Sequence, residues 1–506
     1  MRRGFDLREI VRGAWLAAAV AVLFLTGACG SGSKGNQFLA SPPPSFPSAT
    51  VPLVNLSTDA FTNASSQHAT EVEPGSFAFG STIVSSFQVG RIFGGGAADI
   101  GFAISNDSGA TWQNGLLPGL TTFQGGGTNS AATDTSVIHD AAHGVWIISS
   151  LTISSGSTQV VVSRSTDGGA SWSNPIVVSQ SASLDKNWIT CDNTSTSPHY
   201  GNCYMEWDDN GNNNRVLMST STDGGLTWSL PIAPAGNPGG LGGQPLVQPN
   251  GTVVVPFLSN SNAILSFTST NGGTSWSGLV QVGQVNAHTV AGGLRTLSLP
   301  SAQMDATGTT YIVWEDCSFR SSCPANDLVM STSADGSTWT APTRIPIDAT
   351  SSGEDHFIPG LGIDPATSGG TAHLGLTYYY YPQANCTAAT CALFVGFISS
   401  SDGGTTWSAP TPVAGPMSLS WLPSTDSGLM VADYIATSFA GGKAYGFFAV
   451  AKSKSGATFD EAIYTTQSGF DVAAAPATNS SAGEQPMSRI SGTPARSPVM
   501  GKSVRR

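Results

Sequence analysis

An eight-residue pattern, S-x-D-x-G-x-[ST]-W, returns along this chain. It reads SNDSGATW at 105–112, STDGGASW at 165–172, STDGGLTW at 221–228 and SSDGGTTW at 400–407. Two copies are altered: STNGGTSW at 269–276 has Asn271 for the aspartate, and SADGSTW at 333–339 is one residue short. Successive tryptophans stand 60, 56, 48, 63 and 68 residues apart. Self-similarity of this kind marks a repeat architecture, and the period suits one four-stranded sheet per repeat. The pattern has a local logic. Asp and Ser side chains bond nearby amides, glycine accepts left-handed backbone, and together they make a tight hairpin turn. The tryptophan then returns to the core between neighbouring sheets.

The repeat resembles the Asp-box, or BNR, repeat of the sialidase superfamily, over roughly residues 70–470. In that family the box joins the third and fourth strands of a propeller blade and is structural. Short apolar runs with polar turns flank each copy, as at 136–138, 145–148, 159–163 and 174–178. The same scan gives units at 71–118, 133–180, 186–234, 240–285, 295–346, 353–415 and 426–470. The last has no box and offers three strands, at 429–439, 444–450 and 461–466; residues 51–56 (VPLVNL) can supply the fourth. Closing a ring with one strand from each end removes an exposed edge. The expected fold is therefore all-β, a β-propeller of four-stranded blades spanning 51–470. Seven blades are favoured; six is the alternative, because catalytic sialidases are six-bladed.

Composition and termini describe an exported protein. Only 10 % of residues are charged, against about a quarter in typical soluble proteins, with Gly, Ser and Thr in their place. Arg2, Arg3, Arg8 and Arg12 precede an apolar stretch at 14–25, too short for a comfortable membrane span. The following Thr26-Gly27-Ala28-Cys29 resembles a bacterial lipoprotein signal, which implies a signal peptide at 1–28 and a lipid on Cys29. Ordinary signal cleavage after Ala28 is the other reading. Residues 29–50 form a Gly/Ser/Pro tether, and 471–506 are expected to be disordered. Residues 1–28 carry four Arg, one Asp and one Glu, so their removal takes the net charge from −12 to −14. That balance argues against nucleic acid and against adhesion to anionic lipid, leaving the lipid as the only membrane contact of a monomer. Six further cysteines fall into close pairs. Bridges Cys191–Cys203, Cys317–Cys323 and Cys386–Cys391 are the simplest of fifteen connectivities. Zinc is the rival, but no histidine accompanies them at ligand spacing.

In the resembled family the boxes lie away from the active site. Functional residues are therefore sought on the opposite end, in the blade-entry loops and the loops between second and third strands. That set contains Glu71 and Glu73, Arg91, Asp185 to Trp188, Glu206 to Asp209, Arg295, Glu315, Asp316 and Arg320. Asp355, His356, the tyrosines at 378–381, Asp433 and Tyr434 complete it. Aromatic faces stack on sugars, and carboxylates and Arg bond hydroxyl or acid groups. Each residue alone fits equally a solvated loop or a local ion pair.

The resemblance implies three arginines clamping a substrate carboxylate, a Tyr nucleophile with a Glu partner, and an Asp acid/base. The family's Arg-Ile-Pro signature precedes the first box by far. The nearest string here, Gly90-Arg91-Ile92-Phe93, lacks the proline and lies 14 residues before Ser105. The propeller holds six arginines: Arg164 and Arg344 are poorly placed, Arg215 is borderline, and Arg91, Arg295 and Arg320 stand on the right end. Asp185 is the first candidate acid. Tyr434 with Glu71, or Tyr380 with Glu315, are candidate nucleophile pairs. Lys186, Trp188, Glu315, Asp355, His356 and Asp433 join the three arginines as candidate substrate-binding residues. The expected function is carbohydrate engagement at a cell surface, as an exo-α-sialidase or related glycoside hydrolase. The alternative is a non-catalytic protein- or glycan-binding scaffold. No serine-hydrolase, zinc-protease or phosphate-loop motif is present, and the Asn-rich turn at 208–214 misses the EF-hand spacing. No metal or other cofactor is expected.

Overall fold

The computed structural model describes residues 46–472. The expected signal peptide at 1–28, Cys29, most of the expected tether and nearly all of the expected C-terminal tail lie outside the described residues. The described chain is all-β, with four single-turn 3₁₀ segments as its only helices. No helix among these residues is long and apolar enough to cross a membrane.

Consecutive antiparallel strands pair into up-and-down groups. The first group is Ser66–Phe79, Thr82–Ile92, Ala97–Ser105 and Gln113–Leu116. The second is Ala131–Asp140, Val145–Ser154, Ser157–Ser165 and Ile176–Ser181. The third has three strands, Leu184–Cys191, Cys203–Asp209 and Arg215–Ser221, with only isolated bridges from Met218 to Ile232 and from Arg215 to Gly239 where a fourth was expected. Pro231 and Pro234 flank the first of these, and a proline has no N–H to extend a ladder. In the fourth group, Gly240–Leu241 and Leu246–Val247 both pair Val253–Ser259, followed by Ala263–Ser269 and Val280–Gln284. The fifth is Ser301–Met304, Thr310–Asp316, Asp327–Ser333 and Thr343–Arg344. The sixth is Asp355–Ile363, Leu374–Tyr381, Ala392–Ser400 and Thr411–Ser418. The last comprises Ala436–Ala440, Lys443–Ala451 and Glu461–Thr466, with Leu53–Asn55 antiparallel to Glu461–Thr466. Its first strand is shorter than the sequence suggested, because Gly428–Leu429 pairs Ser424–Thr425 instead.

Every S-x-D-x-G-x-[ST]-W segment follows the third strand of its group. In the first, Ser105 Oγ donates to Asp107 Oδ1 at 2.7 Å and accepts from the Gly109 amide at 2.8 Å. Asp107 also accepts from the Thr111 amide and hydroxyl at 2.8 and 2.6 Å. Gly109 has φ 87°, a conformation that disfavours any side chain. Asn271 keeps the amide contact to Ser275 at 3.1 Å, so the altered copy retains its turn.

The tryptophans bind each group to the one before it. Trp172 packs on Phe102 at 5.5 Å, Trp276 on Tyr204 at 6.4 Å, and Trp339 Nε1 donates to Ser266 Oγ at 3.0 Å. Trp112 of the first group packs on Phe447 of the last at 5.8 Å. The first strands also touch in succession, and Ala436–Ala440 contacts Ser66–Phe79. The apolar core lies between the sheets, where alternate residues of each strand meet the next group.

Candidate functional site

Four of the seven first strands share one irregularity. A register break falls between Val72 and Gly75, Thr133 and Ser136, Asp185 and Trp188, and Phe357 and Gly360. The residue after the break's start is left-handed without being glycine: Glu73 at φ 56°, Asp134 at 41°, Lys186 at 50° and Ile358 at 52°. Such bulges re-aim a side chain and carry a strain of about 1–3 kcal/mol each. Three of these residues, Glu73, Asp134 and Lys186, are charged groups of separate sheets that meet one another.

Lys186 is the hub. Its Nζ lies 2.5 Å from Asp433 Oδ2, 3.2 Å from Asp134 Oδ1 and 3.8 Å from Glu73 Oε1. Arg295 Nη2 pairs with the same Asp433 oxygen. The Asp433 amide donates to Glu73 Oε1 at 3.2 Å, and Gln88 bonds the other Glu73 oxygen. Arg91 is buried behind this group, its Nε 3.0 Å from Met430 Sδ and its Nη1 bonded to the Gly96 carbonyl. Asp185 accepts from the Lys186 amide at 3.0 Å. A narrow pit of about 10 Å³ reaches Lys186, its lining including Asn187, Trp188, Gln244, Leu299 and Tyr434. Trp188 is half-buried at its wall, edge-on to Tyr434 at 5.3 Å.

Burial and charge set the protonation states. Burial raises Glu73 to about 8; Lys186 opposes the rise, while Asp433 and Asp134 add to it. Burial and Asp134 raise Asp185 to about 6, partly offset by Lys186. Burial would also raise Asp433, but Arg295 and Lys186 outweigh it and hold this carboxylate low. Asp208, cross-strand from Asp185, is pushed well up by burial and by Asp185 and Glu206. The site therefore places a neutral carboxyl beside a firmly ionised one, the division of states that acid–base chemistry uses.

Of the residues singled out in the sequence, Glu73, Asp185, Lys186, Trp188, Arg91, Arg295, Asp433 and Tyr434 come together here. The Tyr434 hydroxyl accepts from the Thr135 amide at 2.8 Å and donates to its carbonyl at 3.3 Å, and burial pushes its pKa well up. Glu71 lies outside the cluster. Ser57 Oγ donates to it at 2.6 Å, and burial raises it to about 8. Arg320 belongs to a separate network, with Asp327 and Asp348 each at 2.7 Å, and Arg344 joins the same two aspartates. His356 lies beside it, 3.4 Å from Glu354. Asp355 accepts from the Asn326 amide at 2.7 Å, and Glu315 from Ser298 at 3.1 Å. Tyr380 stacks between His356 and Phe394, not over Glu315. Arg91 and the 185–188 segment stand within strands rather than loops. Sequence reasoning missed Asp134. The run Thr133-Asp134-Thr135-Ser136, between the apolar pairs Ala131-Ala132 and Val137-Ile138 of the first strand, is the signal that could have found it.

Disulfides join Cys191–Cys203, Cys317–Cys323 and Cys386–Cys391. Asp327, Asp348 and His356 bring three ligand atoms within 4.8 Å of one another, but two arginines already pair these aspartates.

No family model and no curated protein matches this chain. Among solved structures it is similar to the Hadza microbial sialidase Hz136, at 15% identity and TM-score 0.40, over 79% of this chain and 66% of that one. The chain thus spans just under two thirds of that sialidase. An ulvan lyase of polysaccharide lyase family PL25 aligns at 10% identity and TM-score 0.49, over 83% of this chain and 97% of that one. The BP39L lectin of Burkholderia pseudomallei aligns at 11% identity and TM-score 0.48, over 83% and 99%.

Proposed function

We propose that the chain is an exported, lipid-tethered Asp-box propeller of seven blades that holds a carbohydrate over the axial pit and acts on a glycosidic bond through Asp185. Seven blades are supported by the seven successive strand groups. Ring closure is supported by the pairing of Leu53–Asn55 with Glu461–Thr466 and by Trp112 packing on Phe447. The three disulfides suit an oxidising compartment.

One observation carries the functional reading. Glu73, Asp134 and Asp433, from the first and second groups and the entry to the last, meet at Lys186 of the third, and Lys186 lines a pit beside a half-buried tryptophan. Trp188 offers a stacking face, Arg295 and Lys186 offer donors, and Asp185 has the pKa of a general acid near neutrality. A second reading, binding without turnover, is favoured by Tyr434, whose hydroxyl is held by Thr135, and by the presence of only Arg91 and Arg295 at the cluster. Both features weigh against sialidase-type attack by tyrosine. The test is fluorophore release from a glycoside panel that includes a sialoside, run beside direct glycan binding. Turnover lost in Asp185→Asn supports hydrolysis. Binding lost in Trp188→Ala without turnover by the wild type supports the second reading. Neither binding nor turnover across the panel removes carbohydrate from consideration.

A further inference from the structure

A second cavity, of about 300 Å³, lies at the seam where the last group meets the first. That volume stands at the lower end of the range of about 300–1,000 Å³ that encloses small molecules. Phe87 and Val89, alternate residues of Thr82–Ile92, form its floor together with Leu116. Phe87 and Val89 belong to the apolar core that the first group shares with the last. Thr58 lines the cavity from the segment after the closing strand Leu53–Asn55. Asn114 lines it from the outer strand Gln113–Leu116, and Gln124 from the loop that follows.

The walls are held in place by contacts outside the cavity. Ser57 Oγ accepts from the Ile463 amide at 2.8 Å and donates to Glu71 at 2.6 Å. Asp59 accepts from the Phe61 and Ala69 amides, each at 2.8 Å, which fixes the segment around Thr58 and Ala60. Thr121 Oγ1 donates to the Ala98 carbonyl at 2.6 Å and the Thr122 amide to the Asn129 carbonyl at 3.0 Å, which roots the loop of Gln124. A lining organised in advance loses little freedom on binding. Its chemistry is specific. No ionisable side chain lines the cavity. The side chains of Thr58, Asn114 and Gln124 have no hydrogen-bond partner among the described residues. A carboxamide or hydroxyl both donates and accepts, which matches a ligand hydroxyl. A charged ligand would lose water here without meeting a counter-charge, and a wholly apolar one would leave the three polar groups unmet.

Resting on the carbohydrate reading for its class of ligand, we propose that the seam cavity is a second carbohydrate site, which holds a neutral sugar unit. Asn114, Gln124 and Thr58 bond its hydroxyls, and Leu116 meets its C–H face. The site differs from the pit, where Lys186 and Arg295 supply charged donors. Val89 stands two residues before Arg91 on one strand, so the first group carries parts of both sites.

The test is calorimetric titration of the protein with glucose, galactose and N-acetylglucosamine, with glucuronate and galacturonate as charged counterparts. At least one neutral sugar is expected to bind, and the charged counterparts more weakly. Asn114→Ala and Gln124→Ala should each weaken binding roughly 3- to 10-fold, the worth of one hydrogen bond. Ala60→Trp, at an exposed position of the lining, should fill the cavity and abolish binding with Tm unchanged. Trp188→Ala, in the pit, should leave this binding intact. Absence of binding by all three neutral sugars overturns the seam site, and so does binding that survives Ala60→Trp. Binding lost in Trp188→Ala but unmoved in Asn114→Ala and Gln124→Ala also overturns it, and leaves the pit reading standing. Binding that follows the expected pattern, in a protein that turns over no glycoside and loses no binding in Trp188→Ala, overturns the pit reading and leaves the seam site standing.

Discussion

Lys186 Nζ lies 2.5 Å from Asp433 Oδ2, joining residues 247 positions apart in sequence. Both side chains are almost wholly shielded from water, at 6% and 0% exposure. A buried pair of this kind contributes little net stability when intact, but breaking it strands a charge.

Lys186→Met is therefore expected to destabilise the protein by about 3–5 kcal/mol, because Asp433, Asp134 and Glu73 lose their shared cation. Urea denaturation of the variant and of a Lys186→Met/Asp433→Leu double variant checks this. The double variant should recover part of the loss; equal or greater loss would show that the pair is not what the lysine supports.

Stability should fall as pH rises through the neutral range. Burial raises Glu71, Glu73 and Glu315 from 4.5 to about 8 in the folded protein. A group with a raised folded pKa binds its proton more tightly when folded. Its stabilising effect is complete below 4.5 and disappears as pH climbs through about 8. Thermal melts between pH 5 and 9 should show a declining Tm, and Glu315→Gln should flatten the decline. A Tm that rises across this range would contradict the assignment.

Trp172→Ala should cost about 3–5 kcal/mol, the usual loss for a buried aromatic. Its ring is 9% exposed and packs on Phe102 of the preceding sheet. Chemical denaturation with fluorescence detection provides the measurement, and a loss under about 1 kcal/mol would mean that this contact does not hold the sheets together.

Val54→Pro should open the closing strand. The Leu56 amide donates to Ile463 at 2.8 Å and the Gln467 amide to Pro52 at 3.0 Å, so Val54 stands at a hydrogen-bonded position between them. Removing its N–H costs at least about 1 kcal/mol and exposes the edge of Glu461–Thr466 to other chains. Light scattering during a thermal ramp should show earlier onset of self-association than in the wild type.

Gly243→Ala tests the packing beneath the pit. A Cβ there would stand 2.5 Å from Glu206 Cδ, a fully buried side chain on the adjacent sheet. Overpacking of this kind costs about 1–3 kcal/mol, and Glu206→Ala in the same chain should relieve part of it.

The repeat made the architecture legible because its chemistry is local. Ser105, Asp107 and Gly109 build their turn within five residues, and the same contacts form wherever the pattern recurs. The turns and the group after group arrangement follow from neighbours in sequence, whereas the pairing of Leu53–Asn55 with Glu461–Thr466 joins the two ends of the described chain. The three disulfides were legible for the same reason, since each closes a short loop.

The site was only half legible. Residue type pointed to Glu73, Asp185, Lys186, Arg295 and Asp433, but nothing local separated these from Arg320, Asp355 or His356, which make their contacts elsewhere. Asp134 and Glu73 enter because a bulge in each first strand turns a side chain that alternation alone would place elsewhere. Which charges meet depends on which sheets stand next to one another around the structure. A repeat determines the sheet and its turns through contacts a few residues long, whereas the pairing of Lys186 with Asp433 exists only once the first strand of one sheet is brought against the loop that enters another.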